Sequence, residues 1–304
     1  MPGPCALHKP FRADSFPPVE PSTPYLAAFG SATVLVLLVV HRVIQRLASP
    51  KSSLRAELLG DNRAFALREV GDVLAVFLLG AAVTKNCVHG EDIILDIQWV
   101  TAFGLLGLGL IEGAGVLGLR LLMQKRLTGA LEKGNVAAGT AAAAHYIAVG
   151  LLTSRAMAGS DYRGLALSLA FFAIGVLTHQ MMVALFRFLT TYDDTEQIEG
   201  ENLAAALSYG GVSIAVAIVI ARAIEGGDFV DWTAALTGFA MVAIAALAIV
   251  PVRQIVVQGV LLGGRPTLRG GELDEAIGRD RNVGAAALEA TTYVGAALAL
   301  SLLA

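Results

Sequence analysis

The chain has 304 residues, of which 56% are hydrophobic and only 15% charged, with a net charge of −3 and a mean hydropathy of +0.68. Soluble domains carry about 25% charged residues, so the missing charge points to lipid as the solvent. The slight negative balance leaves no basic footprint for nucleic acid, and two cysteines, Cys5 and Cys87, form neither a disulfide framework nor a metal motif.

Residues 1–24 are rich in proline and have no apolar core. They read as a disordered tail and not as a signal peptide, which needs an apolar stretch and a small-residue cleavage site. The first hydrophobic span is Tyr25 to about Ile44, followed by a basic interfacial stretch over 45–60. The second, about Ala64 to Thr84, is the weakest, because Arg68, Glu69 and Asp72 occupy its first half. Arg68 and Asp72 are spaced i,i+4 and can pair.

The third span, Trp99 to Met123, carries Glu112. It also contains Gly113-Ala-Gly-Val-Leu-Gly118, a dinucleotide-like spacing with no strand before it and no turn to make. Close helix packing through Gly109 and Gly113 accounts better for these glycines. The fourth span, Val136 to Met157, holds His145, and the fifth, Leu165 to Phe186, holds His179. The sixth, Leu203 to Ala223, has no ionisable group before Arg222, at its end. The seventh, Trp232 to Val252, is expected to end at Pro251 and Arg253, and the eighth, Val283 to Ala304, carries Glu289. Each is about 20–25 residues, enough for a roughly 30 Å apolar core.

One phrase recurs at the start of every second span. It reads Leu58-Leu-Gly-Asp-Asn62-Arg-Ala, Leu131-Glu-Lys-Gly-Asn135-Val-Ala, Ile198-Glu-Gly-Glu-Asn202-Leu-Ala and, loosened by a longer approach, Ile277-Gly-Arg-Asp-Arg-Asn282-Val-Gly. Asn62, Asn135, Asn202 and Asn282 lie 73, 67 and 80 positions apart, and such internal repetition outranks any local motif. Asn is a favoured N-cap, the neighbouring acids suit the positive end of a helix dipole, and the Ala/Gly run behind it lets another helix approach closely. A functional alternative is that the four polar caps ring the mouth of a pathway.

An Asn-x-Ala-x-Ala helix start after a short acidic turn, repeated between hydrophobic hairpins, resembles the bacterial membrane family called domain of unknown function 350. The resemblance covers most of residues 25–304 and implies a multi-pass membrane protein built from two-helix units, with little implied chemistry. The fourth copy departs from the pattern, with Gly284 for the first Ala and a longer preceding loop.

The expected fold is therefore all-α: a polytopic membrane bundle of about eight helices in four hairpins. The tail is 1–24 and the membrane domain 25–304, with repeats at approximately 25–90, 91–160, 161–227 and 228–304. Because each hairpin crosses twice, the four repeats run in parallel and not inverted. Sixteen of the 22 Lys and Arg residues flank the Asn-bearing loops. The positive-inside rule then places those loops in the cytoplasm of a bacterial inner membrane and both termini outside.

The chemistry-bearing residues are those inside the spans. Glu69 and Glu289 lie seven residues after their Asn; Asp72 and His145 lie ten after theirs. Glu112 and His179 each precede the next Asn by 23 residues and an Arg by eight. Intramembrane ionisable groups are costly and mark ion or proton routes, or buried pairs that fix helix register. An Asp/Glu/His belt for a proton or cation, in a channel or coupled transporter, is one expectation. A non-transporting scaffold or envelope-stress component with basic cytoplasmic loops is the other.

A metal site built from Glu112, His145, His179 and another carboxylate is a weaker reading, and no HExxH, GxSxG or paired-Cys motif points to catalysis. No cofactor is called for, and the protein is read as no enzyme. The partners this pattern admits are the lipid bilayer, an ion or proton, a second copy and a peripheral cytoplasmic protein.

Overall fold

A computed structural model describes residues 22–48, 54–123, 127–225, 231–267 and 269–303. The proline-rich segment 1–21, with Cys5, lies outside these residues. Among the described residues eight long helices carry the fold: α1 Thr23–Ala48, α2 Arg63–Cys87, α3 Ile93–Met123, α4 Val136–Ala156, α5 Tyr162–Phe188, α6 Leu203–Ile224, α7 Trp232–Leu261 and α8 Val283–Leu303. Seven are long and apolar enough to cross a membrane. The other, α2, is as long as its neighbours but carries Arg68, Glu69 and Asp72, as the sequence leads one to expect.

The even-numbered helices form a central row in the order α2, α4, α6, α8. The odd-numbered helices make a second layer in the grooves of that row. Helix α3 lies between α2 and α4, α5 between α4 and α6, and α7 between α6 and α8, while α1 rests on α2 and the edge of α3. Small residues close the row. Gly71 abuts the backbone of Ala143, Gly139 that of Ala64, and Gly211 that of Ala290. Without a hydrophobic force to drive helices together in lipid, such close approach supplies the dispersion contact. The centre of the row is accordingly the core: in the apolar 18-residue stretches, 72% of that in α4 and 78% of that in α6 are buried, against 17% in α1 and 22% in α8.

Two expectations are corrected. Gly109 and Gly113 face open space and do not form a packing seam; Gly107 and Gly115, on the opposite side of α3, pack against Leu79 and Tyr146. The 3.6-residue period decides which glycines point inward, and a GxxxG spacing alone does not. Helix α7 also does not end at Pro251. Lacking an N–H, Pro251 breaks the α ladder. The chain passes through a 3₁₀ turn at Ala246–Ile249 and continues as a π-helix over Val252–Leu261, burying Arg253, Gln254, Val257 and Gln258.

The four Asn residues cap their helices alike, and the first three also hold the repeats in register. Each side-chain oxygen accepts from the amide three residues on: Phe65 at 3.0 Å, Ala138 at 3.0 Å, Ala205 at 3.2 Å and Ala285 at 3.0 Å. The side-chain NH₂ of the first three donates across to the next repeat, to the carbonyl of Leu131 at 3.1 Å, Ile198 at 2.8 Å and Ile277 at 2.8 Å. The residue before each Asn is left-handed: Asp61 at φ 60°, Gly134 at 78°, Glu201 at 62° and Arg281 at 54°. The fourth approach is one residue longer, and the π-turn Glu275–Arg279 absorbs the insertion so that Ile277 still meets Asn202.

Asn202→Ala removes a cap worth about 1 kcal/mol and a buried cross-repeat bond worth about 1 kcal/mol or more. Asn282→Ala removes only the cap. Thermal or SDS unfolding in detergent should show at least twice the loss for Asn202→Ala. In the same assay Gly71→Ala should cost about 1–3 kcal/mol, because its Cβ meets the Ala143 backbone, whereas Gly109→Ala should cost nothing.

Candidate functional site

Helix α1 leans on α2 where Gly30 meets Thr84 and Gly80 meets Val34. This seating turns His41, in the run Val39-Val40-His41-Arg42, toward α2 and α3. His41 is completely buried, with Nδ1 2.7 Å from Glu112 Oε1 and Nε2 3.6 Å from Asp72 Oδ2 and 3.8 Å from Glu69 Oε1. Arg42 pairs with Glu69 at 2.7 Å, and Arg68 pairs with Asp72 at 3.6 Å across one helical turn. The Gln45 amide donates to Asp72 at 3.2 Å and to Glu69 at 3.4 Å. Arg68 also donates to the Tyr146 hydroxyl at 3.3 Å and lies over its ring.

The inner wall of this cluster is enclosed by protein, and its outer rim reaches the protein surface. Asp72 and His41 are fully buried, whereas the side chains of Glu112, Arg68 and Arg42 keep 19%, 21% and 34% of their exposure. Three carboxylates face two guanidinium groups, so with neutral His41 one negative charge is uncompensated. A proton or a monovalent cation restores neutrality in a site where unpaired charge is costly. The buried Asp72 Oδ1 has no hydrogen-bond donor, which leaves one acceptor open. Donor atoms of His41, Glu69 and Asp72 lie within 4.8 Å of one another and are of the type that suits a metal ion. A divalent ion, however, overshoots the charge by one unless an arginine turns away.

The remaining intramembrane groups stand apart. His145 and His179 are neighbours, their ring centroids 6.5 Å apart, and each meets a backbone carbonyl: Ala114 at 3.4 Å and Ser213 at 3.0 Å. Neither joins Glu112, which is taken by His41, so the mixed Glu112–His145–His179 metal grouping is not assembled. Glu289 lies at the far end of the row, 2.5 Å from Arg253 Nε. Arg253 also pairs with Asp274, which accepts from Thr191 at 2.9 Å. The expected belt of six is thus three separate stations, because a linear row spaces equivalent positions one helix diameter apart. Asn62, Asn135 and Asn202 are occupied by caps and cross-repeat bonds, and Asn282 by its cap.

Sequence reading missed His41, Arg253 and Asp274 as site residues. A His-Arg pair at the end of an apolar run was the available signal for His41, yet Arg42 and Arg253 read equally well as topology determinants. In the fold, Arg42 meets Glu69 and Arg253 meets Glu289, at the same place relative to Asn62 and Asn282. The first repeat adds a histidine between its carboxylates. The fourth closes its pair with an arginine that stays charged.

The family model described as Domain of Unknown Function (DUF350) matches residues 19–157 and again 161–303, so each match spans two hairpins. No curated protein and no solved structure matches the chain.

Arg253→Ala leaves Glu289 and Asp274, 1% and 3% exposed, without their shared cation. Breaking a buried pair in this way costs about 3–5 kcal/mol, whereas Arg42→Ala should cost less, because Glu69 keeps His41 and Gln45 beside it. Unfolding of the two variants in detergent checks the order.

Proposed function

The chain belongs to the DUF350 family, and from that premise we propose that this multi-pass membrane protein carries a proton or a monovalent cation, with the His41–Glu69–Asp72–Glu112 cluster as its binding station. The observation that supports this reading most is the place of His41, at 2.7 Å from Glu112 and fully buried against Asp72. A titratable ring among three carboxylates and two guanidinium groups gives one unit of charge to gain or lose. A register-fixing ion pair needs no such group, as Arg253 in the fourth repeat illustrates. Counted along α2 at about 1.5 Å per residue, Glu69 and Asp72 sit about 10–15 Å inside the plane of the Asn caps. We place that plane at the cytoplasmic face of the membrane, following the excess of Lys and Arg in its loops. The role is transport and not catalysis.

The scaffold reading has one observation in its favour. Arg253, Glu289 and Asp274 form a buried lock that, among the described residues, pairs its carboxylates with an arginine and no histidine, as a static element requires.

Flux of protons, Na⁺ and K⁺ into proteoliposomes, measured across pH, tests the proposal. Glu112→Gln and His41→Gln should each lower flux by tenfold or more, or shift its pH dependence. Glu91→Gln, in an exposed acidic loop, should change it little, since exposed charges are screened over about 8–10 Å. Folded protein that passes no ion at any pH sinks transport. Equal effects from Glu112→Gln and Glu91→Gln sink the cluster as its station.

A further inference from the structure

Within the chain, each even helix after the first is held by two neighbours from the repeat before and its own repeat. Helix α4 seats α2 in the angle it makes with α3, α6 seats α4 in the angle with α5, and α8 seats α6 in the angle with α7. Among the described residues, the corresponding angle between α1 and α2 has no helix in it. It is a cleft of about 740 Å³ lined by Ala27, Gly30 and Ser31 of α1 and by Phe77, Ala81 and Thr84 of α2. Helix α2 accordingly shows Val70, Leu74 and Phe77 at 54%, 45% and 48% exposure.

The other end of the row has the matching surface. The residue nine after each Asn packs on the residue eight after the next Asn: Gly71 on Ala143, Gly210 beside Ala144, and Gly211 on Ala290. On α8 the ninth residue is Thr291, which is exposed, and on α2 the eighth is Val70. The Asn bonds end in the same way. Asn282 caps α8 through Ala285, but its NH₂ finds no acceptor across a repeat boundary among the described residues. Leu58, four residues before Asn62, offers the equivalent carbonyl in the exposed last turn of the short helix Leu54–Leu59, at the start of the row.

We propose that copies of this chain associate head to tail in the membrane, α8 of one copy filling the α1/α2 cleft of the next and continuing the central row. The occupant is a second copy because the open cleft, the free small-residue face and the unspent Asn282 amide are the two halves of an interface the chain already makes three times. All four repeats run in one direction, so a neighbour related by rotation about the membrane normal presents its row in the same sense. Such a contact is heterologous; it closes into a ring if the rotation per copy divides a full turn, and otherwise extends as a row. This inference stands apart from ion transport.

The test is disulfide cross-linking of the full-length protein in native membranes, with Cys5 and Cys87 replaced by Ala. Val70→Cys/Thr291→Cys should give, on oxidation, a ladder of dimers and larger species on non-reducing gels that collapses with reductant. An intrachain bridge is excluded because the two positions lie at opposite ends of the row, far beyond the roughly 7 Å limit between Cα atoms. Pairing Val70→Cys with Met181→Cys, on the 73% exposed side chain of α5, should give none. Adding Asn282→Ala should reduce the ladder several-fold, while the unfolding assay shows the chain still folded. A monomer-only pattern from folded Val70→Cys/Thr291→Cys protein overturns the proposal, and so does a single chain with lipid bound by native mass spectrometry. Dimers from Thr291→Cys alone, as strong as from the pair, overturn it in favour of face-to-face contact.

Discussion

The arrangement depends on a primary amide that hydrogen-bonds in two directions. At the start of each even helix the Asn oxygen satisfies an amide of its own first turn, and in the first three the nitrogen reaches the turn of the next repeat. An aspartate would cap as well but has no donor to give, and a serine hydroxyl, which can donate while it caps, is too short to span to the next repeat as the amide does. Because Asn135 and Asn202 are 3% and 0% exposed, both halves of the amide must be satisfied, and only one spacing of adjacent helices does it. The Ala and Gly residues that follow allow that spacing, and the left-handed residue before each Asn directs the chain into it. Cap, clip and small-residue face are parts of one device, repeated along the chain.

A row made this way has consequences for charge. Burying carboxylates in lipid is tolerable only where partners are already in place, and a row offers each repeat partners from its own outer helix and one neighbour. The first repeat meets the need with His41, Arg42 and Arg68, the fourth with Arg253, and the middle two carry no buried carboxylate inside the row. The third repeat keeps its ion pair at the edge, where Arg187 holds Asp194 and donates to Ser208 at 3.1 Å. Equivalent positions have thus diverged into a titratable cluster at one end and a fixed lock at the other. The π-helical stretch after Pro251 belongs to that lock, since it turns Arg253 and Gln258 inward together.

Much of the architecture was legible in the residues alone. Hydropathy gave seven spans, the repeated Asn phrase supplied the eighth against its charged first half, and an even number of crossings per repeat made the repeats parallel. N-capping by Asn62, Asn135, Asn202 and Asn282 follows from local chemistry and appears in the fold. So does the Arg68–Asp72 pair, which needs only one helical turn. All of these are properties within a helix or of its order in the chain, and they rest on periods and spacings that a sequence displays directly.

What the tertiary structure alone decided was which helix faces which. Glu69, Asp72 and Glu112 were visible as intramembrane charges, but their meeting at His41 depends on how α1 and α3 are seated on α2. His145 and Glu289 share their spacing from Asn with residues of that cluster, yet the row carries them to different stations. Gly109 and Gly113 have the spacing of a packing motif and point away from every neighbour. Depth and face within one helix are local quantities. The azimuth of one helix around another is set by the fit of side chains belonging to two or three distant segments at once, and no single segment of the sequence contains it.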